Sequence, residues 1–232
     1  MRLLLLLLIA GLCLSRCTNQ QQGTAIPMPA TMPARSYTDL KAAIDSDREA
    51  FGQLYRSAAR REKLWIQVKD YWVRMLGRDL YEQWNGTPWD FNGTTRVPHE
   101  GTIACGYFVT GLLLDMGYPL DRVKLSTCAS LTMMKALTRG QRVLNASYLS
   151  YAGFCATIRD AGKGIFIVGL DYHTGFLVND GTDTWFLHSN YINRAGVVKE
   201  KMAVSAALRA SRTRFVVSLT SDTAFLLRWM KN

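Results

Sequence analysis

The hydrophobic pattern of this chain changes from a helical period to short strand-like runs in its C-terminal third. Between Tyr37 and Trp84, apolar residues recur every three to four positions, as on the buried side of amphipathic helices. Later β-rich runs are separated by Asp, Asn and Gly residues typical of hairpin turns. These runs are 164–170, 173–178, 184–188 and 214–219. Helices followed by strands predict an α+β domain with a largely antiparallel sheet.

Local signals predict where several helices begin and end. Ser46 with Glu49 three residues later resembles a capping box that would divide the first helical segment in two. A mostly apolar helix is predicted over 103–116, with Gly117 as its C-terminal stop. Weaker helical signals lie over 129–138 and 147–161.

The N-terminus has the features of an export signal. Arg2 precedes an apolar run of twelve residues, Leu3 to Leu14, which is too short to span a bilayer and is typical of a secretory leader. Cys17 and the polar residues after it are typical of a lipid-modified cysteine and its tether, although Arg16 stands where a small residue is usual. The prediction is an exported protein, either periplasmic or a membrane-anchored lipoprotein.

These signals divide the chain into four segments. The leader is assigned to 1–17, a flexible tether to 18–36, an N-terminal helical segment to 37–86 and a catalytic domain to 87–232.

The chain is basic, which bears on its partners. It has 28 Lys and Arg against 18 Asp and Glu, and loss of Arg2 and Arg16 with the leader leaves a net charge of +8. Such a charge favours anionic lipid, lipopolysaccharide or carboxylate-bearing wall peptides, and export makes nucleic acid the least expected partner. The most basic stretch lies in the helical segment, where a solvated helix face is favoured over a membrane- or wall-binding surface.

The cysteines beyond the leader are Cys105, Cys128 and Cys155, so at least one has no partner within the mature chain. Cys105 is predicted to be the free one, whereas pairing of the other two stays open. Cys105 begins an apolar helix after a Gly-rich loop, where the helix dipole and unpaired N–H groups would lower the thiol pKa. The same N–H groups would hold an oxyanion. A buried structural cysteine is the competing interpretation.

The chain has three histidines, and two of them fit a catalytic role. His173 opens one predicted strand and His188 closes the next, so antiparallel pairing would bring the imidazoles within about one hydrogen bond of each other. Cys105, His173 and His188 then fit the roles of nucleophile, base and orienting group. His99 is predicted to be exposed, and Asp171 to serve a turn rather than the cleft.

Other chemistries are less well supported. A Cys/His/His zinc site would use the same three side chains, but no paired-ligand spacing is present. No phosphate-binding glycine loop or EF-hand is found either. No metal and no cofactor are therefore predicted.

Two segments resemble the NlpC-type cell-wall cysteine peptidases. TPWDFNGTTRVPHEGTIACGYFVTGLLLDMGYPLDR is similar to their T-P-Y-x-x-G-G-T loop, which leads to D-C-S-G-(F/L)-V and a helix. HTGFLVNDGTDTWFLHSN resembles their H-V-G-I-Y-x-G-(N/D)-G-x-x-I-H-A strand pair. The matched blocks cover 87–122 and 164–190, about a quarter of the chain. The resemblance implies a papain-like fold and cleavage of peptide bonds in peptidoglycan stems, often beside D-glutamate.

The resemblance assigns the nucleophile to Cys105, the base to His173 and the third polar residue to His188. The chain departs from the motif at Ala104, where the family has Asp, and at Gly106, where it has Ser. Trp89 stands in place of a Tyr that shapes the oxyanion site, and an indole donates only through its N–H. With Asn92 as a candidate substitute donor, the oxyanion and substrate cleft is assigned to Trp89, Asn92 and Ala104.

The sequence therefore predicts an exported cysteine hydrolase acting on amide bonds, with peptidoglycan peptides as substrate and a membrane contact through the lipid anchor. The alternative is an envelope-bound binding module that keeps the fold without the chemistry. A lipid acyltransferase or thioesterase ranks last, because such relatives commonly carry His before Cys in the chain.

Overall fold

The computed structural model describes residues 35–57, 61–139 and 141–231. The predicted leader, all but the last residues of the tether and the lipidation candidate Cys17 lie outside these ranges. Within them, no helix is long and apolar enough to cross a membrane.

The first helix, α1, runs from Tyr37 to Ser57 without interruption. The predicted capping box at Ser46 is therefore wrong, because the buried side of the helix continues past that position at Arg48 and Gly52. Gly52 is needed there, since a Cβ would lie 2.6 Å from the carbonyl oxygen of Met230.

The second helical stretch carries the basic side chains. Helix α2 (Glu62–Arg74) continues through a π-helical segment (Met75–Leu80) into α3 (Tyr81–Trp84). At Gly77 in the π segment, a Cβ would lie 2.8 Å from Cγ1 of Val178 in the sheet. The exposed basic residues here are Arg61, Lys63, Arg74 and Arg78, and Arg56 is exposed at the end of α1.

The sheet is open and antiparallel, and it confirms the predicted α+β class. Its strand order is β1-β6-β2-β3-β4-β5. The strands are β1 (Leu144–Asn145), β2 (Gly164–Gly169), β3 (Thr174–Asn179), β4 (Thr184–Asn190), β5 (Gly196–Lys201) and β6 (Phe215–Ser218). Strands β2, β3, β4 and β6 correspond to the predicted runs, whereas β1 and β5 were not predicted.

Helices cover both faces of the sheet, which explains why β2 and β3 are buried along their whole length. Ile167, Phe176 and Leu187 belong to the large core that includes the N-terminal helices. Alternate residues such as Leu177 and Phe186 belong to a second, smaller core. The remaining helices are α4 (Cys105–Asp115), α5 (Arg122–Ser126), α6 (Ser130–Leu137), α7 (Tyr151–Asp160), α8 (Ala206–Ala210) and α9 (Thr223–Met230).

Helix α4 ends as its sequence predicts. Gly117 adopts a positive φ of 74°, and the N–H of Tyr118 donates to the carbonyl of Leu113 at 2.9 Å. The start of α4 is fixed from the sheet side, where Ser189 Oγ of β4 donates to the carbonyl of Ile103 at 2.7 Å. Both ends of the helix that begins at Cys105 are therefore held in place.

Close contact between α4 and α5 requires glycine at position 106. A Cβ on Gly106 would lie 2.3 Å from the carbonyl oxygen of Ser126. Nearby, Oγ1 of Thr110 and Oγ of Ser126 are 2.6 Å apart. The departure from the family motif at Gly106 thus has a packing reason.

We expect Gly106→Ala to destabilise the protein by about 1–3 kcal/mol, because the new methyl group overlaps backbone and forces the helices apart. Gly111→Ala is the matched control on the same helix, since its Cβ would meet only Arg122 atoms at 3.9 Å. That change should be neutral or stabilising by up to about 1 kcal/mol. Urea unfolding measures both free energies, and equal effects would contradict the close approach at Gly106.

Candidate active site

Cys105 is the first residue of α4 and follows the extended residue Ala104. A loop folds back onto this entry, with the N–H of Ala104 donating to the carbonyl of Gly93 at 2.8 Å. Gly93 permits the approach, because a Cβ there would lie 2.5 Å from the backbone nitrogen of Ile103. The loop thereby brings Trp89 and its neighbours beside the cysteine.

A cavity of about 660 Å³ opens in front of Cys105. Its lining includes His173 and all three predicted cleft residues, Trp89, Asn92 and Ala104. The structure therefore brings these five sequence-predicted residues together. The aromatic side chains that complete the lining, and that were not predicted, are Phe91, Tyr107, Tyr172 and Tyr191.

A second groove, of about 340 Å³, meets the cavity at the same cysteine. The two spaces share Cys105, His173 and Tyr172, while the groove adds smaller and more polar residues such as Ser130 and Thr213. A chain could thus extend to either side of the cysteine.

His173 lies immediately before β3, is only 6% exposed, and contacts the second histidine directly. Its Nε2 is 2.7 Å from Nδ1 of His188 in β4. The predicted approach of the two imidazoles is therefore confirmed. Gly175 leaves room for the pair, because a Cβ there would lie 2.9 Å from Cβ of His188 and 2.6 Å from Cε2 of Phe186.

Glu200 of β5 extends this pair and was missed by the sequence analysis. Its Oε1 lies 3.2 Å from Nε2 of His188, and Ser205 also hydrogen-bonds the carboxylate. The antiparallel register places Glu200 opposite Phe186, two residues from His188 along β4 and on the same face of the sheet. A strand prediction for the run Gly196-Val-Val-Lys-Glu-Lys would have found it, but the three charged residues obscured the pattern.

The hydrogen-bond chain fixes the tautomers of both rings. The ionised Glu200 accepts a hydrogen bond, so Nε2 of His188 carries the proton and its Nδ1 accepts. His173 must then donate from Nε2, which leaves its Nδ1 as an unprotonated acceptor. Among the described residues, no hydrogen bond reaches this Nδ1, so it remains available as a base.

Burial keeps both rings neutral. It lowers the pKa of His173 from 6.5 to about 3, with the neighbouring His188 acting in the same direction. Burial also lowers the pKa of His188, although Glu200 opposes this change. The hydrogen bond from His188 in turn lowers the pKa of Glu200. Near neutral pH the hydrogen-bonded series Glu200–His188–His173 therefore consists of one carboxylate and two neutral imidazoles.

The pKa of the Cys105 thiol differs from the prediction based on its position at the start of a helix. Burial raises the pKa of Cys105, and the backbone N–H groups of Thr174, Gly106 and Cys105 itself only oppose this effect. The predicted lowering of this pKa is therefore wrong, because desolvation outweighs the helix terminus. No hydrogen bond joins Sγ to His173 within the described ranges. The resting nucleophile candidate is a neutral thiol.

Other candidates lie outside the cavity or serve the fold. His99 is exposed in the loop, as predicted. Asp171 accepts hydrogen bonds from Thr213 Oγ1 and the N–H groups of Arg212 and Thr213, which lower its pKa to about 2. This geometry agrees with the predicted turn role.

The sequence left open whether Cys128 pairs with Cys155. Cys128 and Cys155 are free thiols, like Cys105. In the part of the chain that the structure describes, no group of three or more His, Cys, Asp or Glu side chains is arranged to hold a metal ion.

We expect the protein to lose stability on acidification. The unfolded chain binds protons at its histidines, whereas the buried rings of the folded protein stay neutral. The pKa of His173 is below its unfolded value, so the free energy of unfolding falls as the pH drops from about 6.5 towards about 3. One such ring contributes a slope of up to about 1.4 kcal/mol per pH unit. Urea unfolding across this range should show a smaller slope for His173→Gln, and identical slopes would contradict a neutral buried His173.

No protein-family model, no curated protein and no solved structure matches this chain. The function must therefore be inferred from the chemistry of this cavity and its buried histidine pair.

Proposed function

We propose that this protein is a cysteine hydrolase that cleaves amide bonds, with Cys105 as nucleophile and His173 as base on a papain-like arrangement of the NlpC type. The observation that carries the proposal is the series of hydrogen bonds from Glu200 through His188 to His173. It leaves Nδ1 of His173 free as a base beside the Cys105 cavity. A nucleophile, a base and an orienting partner for the base are the parts that such catalysis requires.

In the first step, Sγ of Cys105 attacks the carbonyl carbon while Nδ1 of His173 takes the thiol proton. Because the thiol pKa is raised and the imidazole is neutral, proton transfer accompanies attack rather than preceding it. His173 then carries a positive charge in a buried position. Its Nε2–H donates to His188, which donates to Glu200, so the carboxylate offsets that charge.

The tetrahedral intermediate places a negative charge on the former carbonyl oxygen. The N–H groups at the start of α4 suit this oxyanion, with the Trp89 indole and the Asn92 amide as further donors lining the cavity. Collapse breaks the C–N bond as His173 returns its proton to the leaving amine. Water then attacks the thioester, again with His173 as base, which releases the acid and restores the thiol.

Peptidoglycan stem peptides are the proposed substrate class. The resemblance at 87–122 and 164–190 supports this class, and the positive charge of the mature chain suits carboxylate-bearing peptides. The leader pattern supports an envelope location, with Cys17 as the proposed lipid anchor. Nucleic acid is not a proposed partner.

A binding module on the same fold is the second candidate. The raised pKa of Cys105 and the lack of a thiol–imidazole hydrogen bond among the described residues favour it. Catalytic contacts often tighten only when substrate is bound, and the relay from Glu200 to His173 ranks the hydrolase first.

We expect Cys105→Ala and His173→Ala each to lower the release of stem-peptide fragments from purified peptidoglycan by about 10³-fold or more, since they remove the nucleophile or its base. Mass spectrometry of the soluble fragments identifies the bond cleaved. Tyr148→Ala, which removes an exposed side chain outside the cavity lining, should leave release unchanged.

Equal release by wild type and Cys105→Ala would refute the proposed nucleophile. If wild type binds the wall and releases nothing, the binding module is the correct interpretation. Circular dichroism of each variant checks that a loss of release does not reflect a loss of folding.

We expect Glu200→Gln to lower kcat by at least about tenfold, because the charge that offsets protonated His173 is gone. Asp183→Asn is the control, since Asp183 is a surface carboxylate paired with Lys201. The nitrogen-15 spectra of the wild-type rings should show protons at Nε2 of both His173 and His188. A proton at Nδ1 of His173 would show that the assigned base nitrogen is wrong.

A further inference from the structure

We propose that the cavity beside Cys105 binds an uncharged, apolar group of the substrate, next to the bond that is cleaved. This inference rests on the proposed function for its place in the reaction, but the binding itself can be tested without turnover.

Aromatic side chains form the largest part of the cavity wall, and the uncharged polar residues Asn92, Thr94, Ser126 and Thr127 also line it. Trp89, Phe91, Tyr107, Tyr172 and Tyr191 line it together. Phe91 is 78% exposed and Tyr172 is 98% exposed, so large apolar surfaces face water at its edge. Exposed aromatic clusters around a concave site are typical of ligand-binding surfaces, because a ligand removes them from water. The volume of about 660 Å³ lies in the usual range for ligand pockets.

The lining offers no partner for a charged group. Among the described residues that line the cavity there is no Lys, Arg, Asp or Glu, and the histidine there is neutral. A carboxylate or ammonium placed inside would lose water without gaining a counter-charge, which is strongly unfavourable. The site therefore selects against charge.

Two arginines lie against the aromatic walls without lining the cavity. Arg194 stacks over Trp89 at 5.9 Å and pairs with Asp90 at 3.1 Å. Arg122 stacks over Tyr107 at 4.8 Å and donates to the carbonyls of the loop at Thr94 and Thr95. Both guanidinium groups already have partners and are not part of the cavity lining.

The cavity and the second groove therefore differ in what they can hold. The cavity, which has aromatic walls and no charged side chain among its described lining residues, suits a hydrocarbon chain or an aromatic ring, whereas the groove includes the carboxylate of Asp171. On a stem peptide, the carboxylates would lie outside the cavity. The group inside it would be uncharged.

The test uses the full chain carrying Cys105→Ala, which keeps the cavity and cannot turn over. Nuclear magnetic resonance of the Trp89 indole follows titration with N-methylbutanamide, N-methylhexanamide and N-methyloctanamide. We expect Kd to fall about fourfold for each added methylene, the value for removing one such group from water. The mono-N-methylamide of adipic acid, which has the length of the hexanamide with a terminal carboxylate, should bind at least about tenfold more weakly.

Two variants in the same background locate the site. Phe91→Ala and Tyr172→Ala should each weaken binding of the octanamide by severalfold, whereas Tyr148→Ala, an exposed tyrosine outside the cavity lining, should not. N-methylphenylacetamide separates the sources of the apolar group. Tighter binding than the hexanamide points to an aromatic side chain, and weaker binding points to a linear acyl chain.

An affinity independent of chain length, or equal binding of the carboxylate analogue, would overturn the inference. This outcome differs from failure of the proposed function. If the protein binds the amide series as expected but releases nothing from peptidoglycan, the apolar site is supported and the assigned substrate class is wrong. If the protein cleaves stem peptides but shows no preference for apolar amides, the hydrolase proposal is supported and the apolar site is wrong.

Discussion

The contact between two buried imidazoles, 2.7 Å apart, is the interaction on which the site depends. Two uncharged rings can share this hydrogen bond only if one donates and the other accepts. Glu200 decides which ring donates, because its carboxylate accepts a hydrogen bond only from a protonated Nε2 of His188. Nδ1 of His188 must then accept from Nε2 of His173, which leaves Nδ1 of His173 as the free basic nitrogen. The arrangement requires glycine at 175, since a Cβ there would lie 2.6 Å from the Phe186 ring and 2.9 Å from Cβ of His188.

Burial has opposite consequences for the two halves of the candidate catalytic pair. It keeps His173 neutral and therefore able to accept a proton. It also keeps the Cys105 thiol protonated, against the backbone N–H groups that favour the thiolate. A preformed ion pair is thus disfavoured in the resting protein. Catalysis in such a site would rely on proton transfer during attack and on a charge relay that ends at a carboxylate in β5.

The aromatic cavity gives the same site a second constraint. Its described lining residues include no Lys, Arg, Asp or Glu, while cations beside Trp89 and Tyr107 are engaged elsewhere. Under the proposed function, reactivity and selectivity would therefore be supplied by different elements. The sheet and the residue before β3 supply Glu200 and the two histidines, and the loop before α4 supplies Trp89 and Phe91 of the aromatic wall. Changes in that loop would alter substrate choice without disturbing the relay.

The sequence by itself determined the α+β class, the helix that begins at Cys105 and the closeness of the two histidines. Local periodicity, Gly117 and the antiparallel pairing of two adjacent strands are short-range signals that a linear chain carries. Only the tertiary structure decided the rest. Glu200 joins the site through a strand whose charged residues hide its period, and the Cys105 pKa rises because distant elements bury the thiol. Desolvation depends on everything packed around a group, and no local pattern records it.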